Sequence, residues 1–199
     1  MKKPLIILFL LIMGLSVIFA VCIRNKNDPD RALNYLKDLD SYSSDVTIQI
    51  KNDKQNIEYK TRQFYNKKYG YRLELGEDRV MIYKENKIEV KDIKNGLQYS
   101  TDKDFDSVYK LSFISEYVGL IYTNEKIGFS EKELNGEKFQ VIELVIPGMN
   151  RNIKYAELYT DIKSNIPRFL LIYDDKNREK MRVTYNNFVP NAEINKELF

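Results

Sequence analysis

Histidine is absent from the 199 residues, and cysteine occurs once. Without histidine the chain lacks the usual general base, the usual near-neutral pH switch and the commonest metal ligand. Neither a Ser-His-Asp nor a Cys-His nucleophile system can be assembled. One cysteine and no histidine cannot make up the ordinary nitrogen and sulfur ligand set of zinc, so no metal and no cofactor is expected. One cysteine makes no disulfide within the chain, so the fold must rest on its core and should be indifferent to reductant. Glycine is scarce, at eight residues, and none falls in a G-x-G-x-x-G or G-x-x-x-x-G-K-[ST] pattern, which excludes the familiar phosphate-cradling loops. Basic stripes are absent as well: the formal charge of +3 is mixed along the sequence, so no nucleic-acid partner is expected. Of the catalytic chemistries weighed here, only a carboxylate-only hydrolase stays formally open.

What is present begins with an apolar run. After Met1-Lys2-Lys3, no charged side chain occurs from Leu5 to Ile23. A short positive start followed by such a run is a membrane-directed segment, at the lower limit for spanning a bilayer. The sole cysteine, Cys22, follows Phe19-Ala20-Val21 where the run gives way to Arg24, Asn25 and Lys26. This resembles a bacterial lipobox, although Phe19 and Val21 stand where such motifs usually carry Leu and a small residue. Two alternatives follow. Either residues 1–21 are a lipoprotein signal peptide and Cys22 is the lipid attachment site, carrying palmitate-type acyl chains, or the segment is an uncleaved signal anchor with Cys22 an ordinary apolar residue. Both place the rest outside the cytoplasm, beside a membrane. Residues 22–28 then form a tether of roughly 20 Å when extended, and residues 29–199 form one domain.

Asp28-Pro29-Asp30 reads as a helix start, with a capping side chain, a proline suited to the first turn and an acid facing the positive helix end. Ala32, Leu33, Leu36 and Leu39 then form an apolar stripe about three turns long. From Val46 the period changes to two. Strands are expected around Val46–Ile50, Ile57–Thr61, Tyr69–Leu75, Val80–Tyr83, Ile88–Val90 and Leu97–Tyr99, separated by turns rich in Asn, Asp and Gly. Asp102, Asp104 and Asp106 invite a calcium-loop reading, but Ser107 and Phe113 stand where glycine and glutamate are needed, so a solvated loop is expected. Helical spacing returns from Tyr109, with Leu111, Ile114, Val118 and Ile121 on one face. Asn135-Gly136 supplies a type I′ hairpin turn between Ile127–Leu134 and Lys138–Ile146. Strands over Ile153–Thr160, Phe169–Tyr173 and Met181–Phe188 complete the chain.

The expected fold class is α+β: a curved antiparallel sheet, an open half-barrel, with two helices packed on its concave face, following the N-terminal signal or membrane segment. Phe64-Tyr65-Asn66-Lys67-Lys68-Tyr69, Tyr71-Arg72-Leu73-Glu74, Ala156-Glu157-Leu158-Tyr159, Ile166-Pro167, Ile172-Tyr173-Asp174, Tyr185-Asn186-Asn187-Phe188 and the terminal Leu198-Phe199 together resemble the LolA/LolB-like lipoprotein-carrier fold. More narrowly, they are similar to the GerS-like clostridial spore germination lipoproteins. None of these motifs is a catalytic signature, so function follows by analogy. The resemblance implies a non-enzymatic, membrane-anchored partner of a cortex amidase (CwlD-like), on the cortex-side membrane of the developing spore, needed for the muramic-lactam that germination hydrolases recognise.

Two functional classes stand side by side. In one the fold presents a tyrosine-rich strand edge or face to the amidase, and the same open edges allow a homodimer. In the other the concave face holds a lipid or lipoprotein. Each tyrosine, taken alone, is first of all a β-former filling a sheet. No individual partner-binding residue is singled out by the sequence.

Overall fold

A computed structural model describes residues 30–199 apart from Asp53, Ser107, Asn124 and Glu125. The signal segment, Cys22, the tether and the Asp28-Pro29 helix start lie outside the described residues. Ala32–Phe199 form one compact unit. Its elements run α1 (Arg31–Lys37), β1 (Ser41–Lys51), β2 (Asn56–Asn66), β3 (Gly70–Leu75), β4 (Arg79–Tyr83), β5 (Lys87–Asp92) and β6 (Leu97–Asp102). Then come a 3₁₀ turn (Lys110–Ser112), α2 (Ile114–Ile121), β7 (Ile127–Leu134), β8 (Glu137–Val145), β9 (Tyr155–Asp161), β10 (Pro167–Tyr173), β11 (Glu179–Pro190) and a final 3₁₀ turn (Lys196–Leu198).

All eleven strands join one antiparallel sheet in the order β6-β5-β4-β3-β2-β1-β11-β10-β9-β8-β7. Two meanders therefore meet at a single long-range seam, the pairing of β1 with β11, for instance Ile48 opposite Val183. The Asn135-Gly136 turn has the expected positive φ at both residues, 54° and 80°. Asn165 and Asn177, in the turns after β9 and β10, also have positive φ, at 60° and 57°, which asparagine tolerates better than most side chains.

Alternation places Tyr42, Val46 and Ile48 of β1, Leu73 of β3, Met81 and Tyr83 of β4, Ile142 of β8, Leu158 of β9 and Leu170 of β10 in one core with both helices. From α1 come Ala32, Leu33 and Leu36, and from α2 Ile114, Tyr117, Val118 and Ile121. Directly opposed tyrosines build an aromatic ladder across this face. Tyr42 and Tyr65 lie 5.4 Å apart, Tyr65 and Tyr71 lie 5.2 Å apart, and Phe113 packs on Tyr71 at 4.9 Å. Three tyrosine hydroxyls pin the helical segment to the sheet. Tyr42 accepts from the Ile114 N–H at 3.0 Å, Tyr185 donates to the Ser112 carbonyl at 2.6 Å, and Tyr117 donates to the Ile142 carbonyl at 2.8 Å.

Three expectations need correction. The described α1 has seven residues rather than three turns, because the chain must enter β1 at Ser41; Leu39 reaches the core from the connecting turn. The second helical stretch is divided at Phe113, whose extended backbone (φ −81°, ψ 131°) carries its ring into the aromatic ladder. Asp106 is not in a solvated loop: it is 9 % exposed and accepts the Tyr83 hydroxyl at 2.5 Å and the N–H groups of Val108 and Tyr109. Asp106 is therefore a structural cap, while Asp102 and Asp104 are exposed.

Candidate partner-binding edge

An open sheet ends in two strands with unpaired N–H and C=O groups, and natural proteins blunt such edges with charge, proline, bulges or a covering element. At one end β7 carries Glu131, Lys132 and Glu133 in its eight residues. Lys132 is fixed across the neighbouring strands, 2.9 Å from Glu157 and 3.4 Å from Glu143. The Glu157 carboxyl is held below its usual range: burial opposes this, but donation from Tyr159 and the charge of Lys132 prevail. This edge is guarded by charge.

β6 is different. Its sequence, Leu-Gln-Tyr-Ser-Thr-Asp, contains no lysine and no proline, and its register with β5 runs without a bulge from Asp92 opposite Leu97 to Lys87 opposite Asp102. Five of its six residues are exposed. Pairing with Val90 and Asp92 puts Tyr99 and Leu97 on the concave face, yet they remain 47 % and 58 % exposed, outside the core that the sheet and helices share. Ile93, in the turn before the strand, is 60 % exposed, and Phe105, in the loop after it, is 76 % exposed. Four large apolar side chains are thus exposed along an unguarded strand edge and in the turns at its two ends, the kind of surface that marks an interaction site.

The patch sits on a fixed frame. Asp92 accepts from the side chain and main chain of Asn95 and from Arg79, closing the turn that carries Ile93. Those Asn95 donors, reinforced by Arg79, hold the Asp92 carboxyl below its usual range. On the other side the buried Asp106 anchors the loop carrying Phe105. Burial, followed by the neighbouring Asp106 carboxylate, pushes the Tyr83 hydroxyl well above its ordinary pKa.

Strand β6 was expected from the alternation of Leu97, Gln98 and Tyr99, but its exposed face was not. Burial depends on how far the helices extend over the sheet, which spacing within β6 does not encode. Phe105 carries the one local signal, a bulky apolar residue between Asp104 and Asp106. Most other tyrosines prove to be sheet filling, in keeping with their β-forming character; Tyr122 and Tyr155 are exposed along with Tyr99.

The concave face is filled at its centre by Tyr42, Phe113 and Tyr117, all at most 1 % exposed. Beside it lies a cleft of about 410 Å³ lined by Ile50, Val108, Ile153, Ile172 and Met181, and by Lys51 and Lys180. Among the described residues no three Cys, Asp or Glu side chains gather where they could hold a metal ion, and no helix is long and apolar enough to cross a membrane.

The sequence pattern of a family described as "Sporulation protein YdcC-like" matches residues 1–199. No curated protein sequence matches the chain. Among solved structures, an uncharacterized conserved protein from Thermus thermophilus is similar in fold, with a TM-score of 0.53 and 10 % identity over 85 % of this chain and 90 % of that one. One chain in the structure of the CwlD amidase from Clostridioides difficile in complex with the GerS lipoprotein matches with a TM-score of 0.48 and 20 % identity, over 81 % of this chain and 91 % of that chain. A LolA superfamily protein from Nitrosomonas europaea gives 0.43 and 9 %, over 86 % and 96 %.

Proposed function

Because the chain belongs to the family of YdcC-like sporulation proteins, we propose that it is a membrane-anchored, non-enzymatic lipoprotein that binds a spore cortex N-acetylmuramoyl-L-alanine amidase through β6. By doing so it supports formation of cortex muramic-lactam, and hence cortex hydrolysis in germination. The observation that carries this reading is the unguarded β6 edge with Leu97, Tyr99, Ile93 and Phe105 exposed around it. Main-chain pairing along an edge gives affinity, and apolar side chains beside it give specificity. The missing histidine argues against chemistry of its own. The amidase is named from the GerS-like motifs quoted above, and Cys22 is the proposed lipid anchor that keeps the domain near the membrane. A second copy pairing along the same edge is the secondary expectation.

The test mixes a chain beginning at Ile23 with the amidase and follows complex size and amidase activity. A Leu97→Glu/Tyr99→Lys variant should abolish the complex while changing fold stability by about 1 kcal/mol or less, since both side chains are about half exposed. If the variant binds as the parent does, the contact lies elsewhere. The cleft lined by Ile50 and Met181 supports a second reading, lipid or lipoprotein carriage, because its size suits a small apolar ligand. Extraction of a fluorescent acyl probe from vesicles, with no amidase complex at high concentration, would favour that one.

A further inference from the structure

One end of the sheet gathers positive charge for which the proposed function has no use. Hairpin turn 67–69 joins β2 to β3, and turn 84–86 joins β4 to β5. Pairing of Tyr71 with Tyr83 sets the two turns side by side, and pairing of Lys87 with Asp102 brings the end of β6 next to them. Gly70, at φ +99°, makes the approach possible: a Cβ there would lie 2.5 Å from the Tyr83 carbonyl oxygen. The 3₁₀ turn adds Lys110. A cavity of about 480 Å³ results, lined by Lys67, Lys68, Lys84, Lys103 and Lys110, with Tyr69 and Tyr71 in its wall.

Among the lining residues Glu85 and Glu116 oppose these five ammonium groups, and Asp104 and Asp106 share an adjoining cleft with Lys103 and Lys110. The concentration is local, because the domain as a whole is balanced. Of the 32 basic and 29 acidic residues, Lys2, Lys3, Arg24, Lys26 and Asp28 precede residue 30, which leaves residues 30–199 formally neutral. Some of the lysines have neighbours. Lys110 lies 3.4 Å from Glu116, Lys67 lies 3.8 Å from the exposed Asp40, and Lys84 donates to the Phe199 main-chain oxygen at 3.0 Å. Lys68 lies over the Tyr69 ring. Among the described residues neither Lys68 nor Lys103 stands in an ion pair with a carboxylate.

We propose that this lysine-lined cavity is a binding site for a phosphate-bearing ligand. Converging ammonium groups stabilise a compact anion through charge-assisted hydrogen bonds, and the concave setting lets several of them act on it at once. Two sources carry that chemistry at a membrane surface, a phospholipid headgroup and a soluble glycerol-phosphate ester. The site borders the Phe105 end of the β6 edge but is lined by none of its four apolar side chains, so it stands whether or not that edge binds an amidase.

The full chain in zwitterionic detergent micelles is titrated with sn-glycerol 1-phosphate by calorimetry. In parallel, it is reconstituted into phosphatidylcholine vesicles with and without phosphatidylglycerol, and amide protection in turns 67–69 and 84–86 is followed by hydrogen exchange. Lys68→Glu/Lys103→Glu should weaken the response about tenfold or more. Lys138→Glu/Lys163→Glu, the same charge change at the start of β8 and in the turn after β9, should leave it within about twofold. Binding in micelles with that selectivity assigns the soluble ester; protection only with phosphatidylglycerol, again with that selectivity, assigns the headgroup. No response to either probe, or equal loss in the two variants, overturns the proposal. Circular dichroism melts matching the parent confirm that the cavity variant is folded; should it be unfolded, Lys103→Gln serves in its place.

Discussion

The Tyr83 hydroxyl donates to the Asp106 carboxylate at 2.5 Å, with Tyr83 3 % and Asp106 9 % exposed. This bond ties β4 to the loop that follows β6 and fixes the base from which Phe105 projects. Tyr83→Phe deletes one of the three donors to a buried carboxylate and should cost about 1–3 kcal/mol of stability. Chemical denaturation of the single variants and of a Tyr83→Phe/Asp106→Asn pair checks it. Additive losses would show that the two groups act independently.

Leu36 is 4 % exposed and lies between α1 and the sheet. Leu36→Ala should therefore cost roughly 2–5 kcal/mol, the range for truncating a packed leucine. Urea melts that move by about 0.5 kcal/mol or less would place the α1 stripe against a partner or solvent instead.

Acidification should unfold the domain only well below neutrality. Asp92, Asp161, Asp174, Glu157 and Glu179 all have carboxyls held below their usual range. At Asp174 and Glu179 burial works the other way, and donors from Arg178 and Lys176, and from Arg182 and Lys51, overcome it. A carboxyl with a depressed folded pKa contributes stability above its unfolded value of about 4, and loses it as pH falls through the folded value. Buried tyrosines such as Tyr42 and Tyr185 are raised by burial, so their contribution is present below about pH 10 and is lost above it. With no histidine to titrate between them, the melting temperature should be level from about pH 5 to 8. A step near pH 6.5 in a thermal-melt series would contradict this.

Cys22→Ser should leave an unprocessed precursor that takes up no labelled fatty acid. Equal incorporation of label by the substituted protein would remove Cys22 as the anchor and leave the apolar segment itself in that role.

Much of the sheet was legible because its signals are local. Alternation from Val46 to Ile50 and from Val80 to Tyr83, together with turn residues such as Asn135-Gly136, fixes strand and hairpin within a few residues of chain. The break at Phe113 was not legible: apolar spacing runs on from Leu111 to Ile114 as in a helix. What ends the 3₁₀ turn is tertiary, namely a ring taken into the Tyr42–Tyr65–Tyr71 ladder and a Tyr42 hydroxyl that satisfies the Ile114 N–H. Burial of Asp106 was hidden in the same way, since its partner Tyr83 lies on β4, with β5 and β6 between them in the chain. The lysine cavity was less legible still. Its residues lie on three separate connections, and the register of β2 to β6 brings them together.

The seam between β1 and β11 gives the C-terminus an unusual weight. Every other strand pairing joins neighbours in sequence, so each meander can form with short loop closures, whereas the seam must bring together the first strand and the last. A chain emerging from its N-terminus first holds β1 ready, with one side unpaired, until its final residues arrive. In many sheets, trimming the last strand shaves an edge. Here it would remove the strand beside the centre and divide the sheet into two halves, each with a fresh open edge, so early termination of synthesis near residue 178 should yield an aggregating product rather than a shortened domain.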